Sequence, residues 1–359
     1  MGKMTIKDIA RVCGVGVSTV SRAMNNHPDI NPETRARIME EIAKANYIPN
    51  NSARNLKCIG TKSIAVLVKG IGNGFLGDLV GGLERECKKR EYSFLLQYVE
   101  EQEDEVDAAI RIAKEKKPSG MVFLGGDFSH PEQKMEQLDI PFVLSTIEAP
   151  EDKDGKYASV SVDDFMESYK MTEYLLNLGH DRIAVITAPR DDKSIGRQRL
   201  LGYRKALMDK GVPYREELVK YMDAEEDRYS LKSGYKLTGE LLRETSFSAI
   251  YAVSDSLAMG ACRALKEAGI SIPKDCSVAG FDGTEEAEFY IPKITTIRQP
   301  VEGIAKATAD ILFDMIINKK SPSESRVSRR TSETGINGYL SLSMNNSKIC
   351  RCCGSGREK

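Results

Sequence analysis

The 359-residue chain has no tryptophan and only three histidines. With so few imidazoles there is almost no material for a histidine-rich metal centre or a His-based acid–base pair. It also has no run of eighteen apolar residues, which leaves no candidate membrane-spanning helix. Its first residues enter a polar, helix-like pattern without the apolar core of an export signal, so a cytoplasmic location is expected. Five of the eight cysteines are scattered, at 13, 58, 87, 262 and 276, and do not show the spacing of a disulfide framework, which fits a reducing compartment. The other three, Cys350, Cys352 and Cys353, lack a fourth ligand at zinc spacing, so no metal and no cofactor are expected. Neither a nucleophile elbow nor a Walker loop is found, and the expectation is a protein that is not an enzyme.

The length suits two or three domains, and 41% hydrophobic and 29% charged residues describe an ordinary globular chain. Net charge is −1 but uneven: residues 1–60 carry nine Lys/Arg against five acids, and the remainder 43 against 48. A basic end on a mildly acidic body suggests that one end meets a polyanion.

Residues 5–24 read as two short helices around a tight turn. Thr5 is placed to cap the first, and Ile6, Ile9, Ala10 and Cys13 share one apolar face. Gly14 marks the turn. A second helix over Val17–Met24 turns Val20, Ala23 and Met24 inward and leaves Val17, Ser18, Ser21 and Arg22 on its other face. That is the arrangement of a recognition helix, whose first residues reach base edges in the major groove. A third helix, Pro32–Ala45, begins on proline. Asn46-Tyr47-Ile48-Pro49-Asn50 then breaks the pattern, and Asn51–Lys57 has room for one or two helical turns, too few to be stable in water unless something packs on them.

The run TIKDIARVCGVGVSTVSRAMN followed by NYIPNNSARNLK resembles the headpiece and hinge of the LacI/GalR family of transcription regulators. The likeness continues to about residue 320. It implies that Val17, Ser18 and Arg22 read bases and that Thr5, Thr19, Asn25, Tyr47 and Asn50 hold phosphates. Leu56 would intercalate a base step, with Ala53 beside it. Gly16 stands where the family usually has serine.

From Ser63 onward, buried-strand runs (Ile64–Val68, Phe94–Val99, Gly120–Leu124, Phe142–Leu144) alternate with helical stretches. After Asp163 a second series follows: Ile183–Ile186, Ala249–Val253 and Ser277–Gly280. Such alternation predicts parallel sheets covered on both faces. The expected fold is therefore an all-α helix-turn-helix headpiece (1–46), a hinge (47–61) and an α/β, periplasmic-binding-protein-like body (62–322) of two parallel-sheet lobes. By the resemblance, lobe one is 62–160 with 293–322, and lobe two is 161–292.

Between such lobes a small ligand binds at the carboxyl ends of the strands. The resemblance places Asn73 and Phe75 there, and with them Arg199, Tyr229, Ser254, Asp255 and Asp282. An arginine, carboxylates and an aromatic face suit a sugar. Expected partners are thus an operator DNA duplex, a carbohydrate effector and a second copy of the chain, with no membrane.

One segment supports a different reading. Gly72-Asn73-Gly74-Phe75-Leu76-Gly77 spells G-x-G-x-x-G after a strand and before a helix, with Glu100 where a ribose-binding acid would stand. The alternative is therefore an NAD(P)-dependent oxidoreductase built on this loop. A sugar-transport protein with a fused N-terminus is a third reading, disfavoured by the missing export signal. His180, at a helix end, is expected to be structural. Residues 323–359, rich in Ser, Arg, Asn and Gly, are expected to be disordered and to lack the terminal strand of the family.

Overall fold

The computed structural model describes residues 6–24, 29–45, 62–70, 72–100, 103–126, 132–147, 157–223, 228–319 and 335–337. Two compact units emerge, Met1–Ile59 and Gly60–Lys359. Thr5, Asn25, Tyr47, Asn50, Ala53 and Leu56, and with them almost all of the expected hinge, lie outside the described residues.

The first unit holds α1 (Ile6–Val12), α2 (Val17–Met24) and α3 (Pro32–Lys44). Ile9, Ala10, Cys13, Val20, Ala23 and Ile38 form its core. Each fully buried isoleucine contributes about 1.5–3 kcal/mol, and a unit this small depends on both. Gly14 makes the turn at φ +62°, a conformation that costs glycine nothing, and Val15 closes it by donating to the Ala10 carbonyl at 3.0 Å. Asn31 starts α3 by accepting from the Glu33 amide at 2.8 Å, and Pro32 fills the first helical position, where no amide is needed.

The second unit begins with β1 (Ser63–Lys69), α4 (Gly74–Lys89), β2 (Ser93–Val99), α5 (Glu105–Lys116), β3 (Gly120–Leu124), α6 (Glu132–Met135), β4 (Phe142–Ser145) and β5 (Ala158–Val160). These strands make an all-parallel sheet ordered β2-β1-β3-β4-β5. The chain then continues through α7 (Asp164–Asn177), β6 (Ile183–Thr187), α8 (Ile195–Asp209), β7 (Val219–Tyr221), α9 (Leu231–Glu244), β8 (Ala249–Ala252), α10 (Asp255–Glu267), β9 (Ser277–Asp282), α11 (Glu285–Phe289) and β10 (Thr295–Arg298). It ends in α12 (Val301–Asn318) and β11 (Gly335–Asn337). The second sheet is ordered β11-β10-β9-β8-β6-β7. Strands such as β1, β3, β8 and β9 are buried along almost their whole length, which is why they read as unbroken apolar runs.

Two expectations need correction. The return to the first lobe was placed at residue 293, yet β10 pairs in parallel with β9 and belongs to the second sheet. The crossing therefore falls at Gln299–Pro300, after which α12 packs on α4 and on the strands of the first sheet. The tail was expected to lack a terminal strand, but β11 pairs antiparallel with β10. In both cases the free edge of β9, and then of β10, supplies backbone partners to segments too short to show a period of their own.

Candidate functional site

Helix α2 is apolar on one side only. Val20 and Ala23 are buried, whereas Val17, Ser18 and Arg22 are exposed and Thr19 is half-buried. Val17 is 41% exposed in the first turn of the helix, an apolar side chain held out to solvent beside two polar ones. Arg22 rests against Asp29 at 3.2 Å, with both side chains at least half exposed, so the pair is weak and readily exchanged for another anion. Gly16 accepts from the amides of Thr19 and Val20 at the start of α2. A Cβ there would meet nothing closer than the Ser18 Oγ at 3.5 Å, so the usual serine would fit.

In the second unit a cavity of about 180 Å³ opens between the lobes at the carboxyl ends of both sheets. Asn73, Phe75, Arg199, Tyr229 and Asp282 all line it, brought together from four separate chain segments. Ser254 and Asp255 do not, which corrects the expectation for them. Ser254 caps α10, its hydroxyl accepting from the Leu257 amide at 3.3 Å. Asp255 is fully buried and accepts from the Thr296 hydroxyl at 2.5 Å and the Thr284 amide at 2.8 Å. Its carboxylate ties α10 to β10 and to the turn after β9, behind the cavity wall.

Arg199 is 2% exposed. Its Nε donates to Asp164 Oδ1 at 2.8 Å, its Nη1 to the Val253 carbonyl at 2.5 Å, and its guanidinium lies 3.6 Å from the centre of the Phe281 ring. Burial works against the cation, but Asp164 and Asp282 overcome it and hold its pKa above the ordinary arginine value. Asp282 is also buried. It accepts from Gln299 Nε2 at 2.8 Å and from Asn73 Nδ2 at 3.1 Å, and burial pushes its pKa up to about 7 against the opposing pull of Arg199. Asp192 accepts from the Ser194 and Arg197 amides at the start of α8, and burial raises its pKa as well. On the first lobe, Lys69 is paired with Glu105 at 3.0 Å.

Residues 5–50 match the family described as bacterial regulatory proteins, lacI family, and residues 172–333 match the periplasmic binding protein-like domain. The HTH-type transcriptional regulator MalR of Clostridium butyricum is 37% identical over 322 residues, covering 87% of this chain and 93% of that protein. The chain belongs to the lacI family of transcriptional regulators. Among solved structures, a transcriptional regulator CelR–cellobiose complex is 28% identical with a TM-score of 0.64, over 88% of this chain and 94% of that one. The lac repressor dimer bound to operator and the anti-inducer ONPF is 25% identical with a TM-score of 0.67, over 89% and 94%.

Within this lacI-family frame the oxidoreductase reading is not supported, and the local geometry explains why. Asn73 Oδ1 accepts from the Phe75 amide at 3.0 Å and so occupies the N-terminus of α4, the place a pyrophosphate would take. Gly74 and Gly77 lie inside the helix, and a Cβ on Gly77 would meet open space, so no close backbone approach demands glycine. His180 sits at the opposite end of the second sheet. Its ring nitrogens face the Ser248 and Ser277 hydroxyls at 2.9 and 3.0 Å, and burial lowers its pKa.

Sequence reasoning missed Lys69, Gly125, Thr146, Asp192, Ser194 and Arg228, all of which line the cavity. For Gly125 and Thr146 the usable signal was position, because each directly follows a strand and Lys69 ends one, which is where ligands bind in open α/β sheets. Gly125 shows the constraint: at φ +74°, a Cβ would come within 2.3 Å of the Lys69 carbonyl oxygen.

Proposed function

We propose that this regulator is a repressor which binds operator DNA as a homodimer through the exposed face of α2, and whose operator affinity is set by a small neutral carbohydrate held between the lobes. The observation that carries this reading is the charge balance of the cavity. Arg199 is matched by Asp164 and Asp282, Lys69 by Glu105 and Arg228 by Asp192. The raised pKa of Asp282 lets the fourth carboxyl hold a proton, so that three cations face three carboxylates. Such a site offers directional hydrogen bonds and the Phe75 and Tyr229 rings without a surplus charge, which suits a ligand of hydroxyls on an apolar ring. A ligand touching both lobes binds one interlobe arrangement better than another, and only that difference can shift a two-state equilibrium. On the DNA side, Val17 suits a thymine methyl, and Ser18 and Arg22 suit base-edge acceptors.

The test is fluorescence anisotropy with duplexes tiled across the region upstream of the chain's own operon, repeated with neutral mono- and disaccharides. The expected result is one saturable, sequence-specific site whose affinity changes at least tenfold with one sugar. Equal affinity for every duplex would reject the operator reading, and no response to any sugar would reject the effector reading.

A further inference from the structure

Among the described residues, six non-glycine residues have positive φ. Glu91, Lys117 and Lys319 lie just past the ends of helices, where such a conformation is routine. The other three, Thr146 at +62°, Tyr229 at +54° and Asp282 at +121°, all line the interlobe cavity. Left-handed backbone is hardest for a β-branched residue such as threonine, and it persists only where the surroundings enforce it.

The surroundings of Thr146 do enforce it. The residue directly follows β4, which is hydrogen-bonded on one side to β3 and on the other to β5. Its own amide donates to the Val160 carbonyl at 2.8 Å. The preceding Ser145 hydroxyl lies 3.0 Å from that of Thr308 on α12. The backbone is thus held from two directions, while the side chain is 7% exposed and its Oγ1 has no hydrogen-bond partner among the described residues. Three residues of the first lobe bring polar side chains to the cavity, Lys69, Asn73 and Thr146. Lys69 is committed to Glu105 and the Glu103 carbonyl, and Asn73 to the Phe75 amide and Asp282. The Thr146 hydroxyl alone of the three is buried and wholly unused. A desolvated hydroxyl without a partner is a cost that native structures seldom keep without a reason.

We infer that Thr146 is the specificity-determining residue of the first lobe, its hydroxyl pairing with a ligand hydroxyl when the cleft is occupied. This rests on the proposal that the cleft takes a small polar ligand. The second lobe presents charged groups around Arg199 and Asp282. Thr146 supplies a neutral partner that both donates and accepts, so it discriminates by the position of a hydroxyl and not by charge.

The test compares full-length wild type with Thr146→Val, which keeps the shape and removes the hydroxyl, and with Thr146→Ser, which keeps the hydroxyl. Titration calorimetry uses D-glucose, D-ribose, maltose and cellobiose as probes. For a sugar that binds wild type, Thr146→Val is expected to weaken binding about tenfold or more, while Thr146→Ser stays within about threefold. Monodeoxy forms of that sugar locate the contact: the one lacking the paired hydroxyl should bind wild type and Thr146→Val alike. Equal sugar affinity for wild type and Thr146→Val would overturn the inference. Thermal unfolding without ligand gives an independent reading, because an unpartnered hydroxyl contributes no folded-state bond. Thr146→Val is expected to melt at or above the wild-type temperature, and a clear drop would make the hydroxyl structural and also overturn the inference. If no probe binds wild type, the neutral-sugar proposal fails, and the unfolding comparison still decides for Thr146.

Discussion

Asn73 and Asp282 meet across the cleft: Asn73 Nδ2 donates to Asp282 Oδ2 at 3.1 Å. The two residues are 209 positions apart, one at the start of α4 in the first lobe and the other at the end of β9 in the second. The amide cannot simply be turned around, because its Oδ1 accepts from the Phe75 amide at 3.0 Å. One side chain therefore starts a helix and joins the lobes, and replacements can separate the two tasks.

Asn73→Asp keeps an oxygen for the Phe75 amide and places a second carboxyl against Asp282, whereas Asn73→Ala loses both contacts. Loss of the cap is expected to cost about 1 kcal/mol in Asn73→Ala, and Asn73→Asp should be spared that part. Asn73→Ala should open the ligand-free cleft, read as a larger radius of gyration in solution scattering at neutral pH, and Asn73→Asp should do so at about pH 9, where the two facing carboxyls can no longer share a proton. Wild-type scattering from both variants would show that the lobes are held together without this bond.

The raised pKa of Asp282, about 7, gives a stability prediction. An ordinary aspartate titrates near 4. Between about pH 4 and pH 7 the folded chain therefore holds a proton that the unfolded chain has released, and this group's contribution to stability falls as pH rises through that window. Burial also raises Asp255, to about 6, and its charge adds to the rise at Asp282. Asp282→Asn removes one of the two carboxyls and keeps acceptor and donor positions for Gln299. From about pH 5 to about pH 7.5, denaturant unfolding should show the variant gaining on wild type, with little further change above. A difference that stays flat over this range would mean that Asp282 is charged throughout.

Arg22 is exposed on α2 and, among the described residues, is paired with the half-exposed Asp29. Arg22→Ala is expected to weaken binding to the operator by about 1–3 kcal/mol, while binding to random duplex of the same length falls far less. Anisotropy at matched salt measures both, since phosphate contacts make either value salt-dependent. Equal losses on the two duplexes would assign Arg22 to the backbone and not to base reading.

Much of this protein was settled within short stretches of sequence. The helices of the first unit follow from apolar spacing over two or three turns, with Gly14 and Pro32 as punctuation, and Ile9, Cys13 and Val20 of their core could be named in advance. The long parallel strands were legible for the same reason: burial on both faces leaves an unbroken apolar run, as in SIAVLV of β1. What the tertiary structure decided was pairing and contact between distant segments. Strands β5, β7, β10 and β11 are three or four residues long, too short for any period, and exist because a neighbouring edge offers hydrogen bonds. The cavity shows the same division. Arginine and aspartate at strand ends announced a ligand cleft, but Asp255 has the same chemistry as Asp282 and only packing turns one behind the wall and the other into it. Thr146 carries no local signal at all. Its positive φ and partnerless hydroxyl arise from β3, β5 and α12 closing around it, and no window of sequence contains those three elements together.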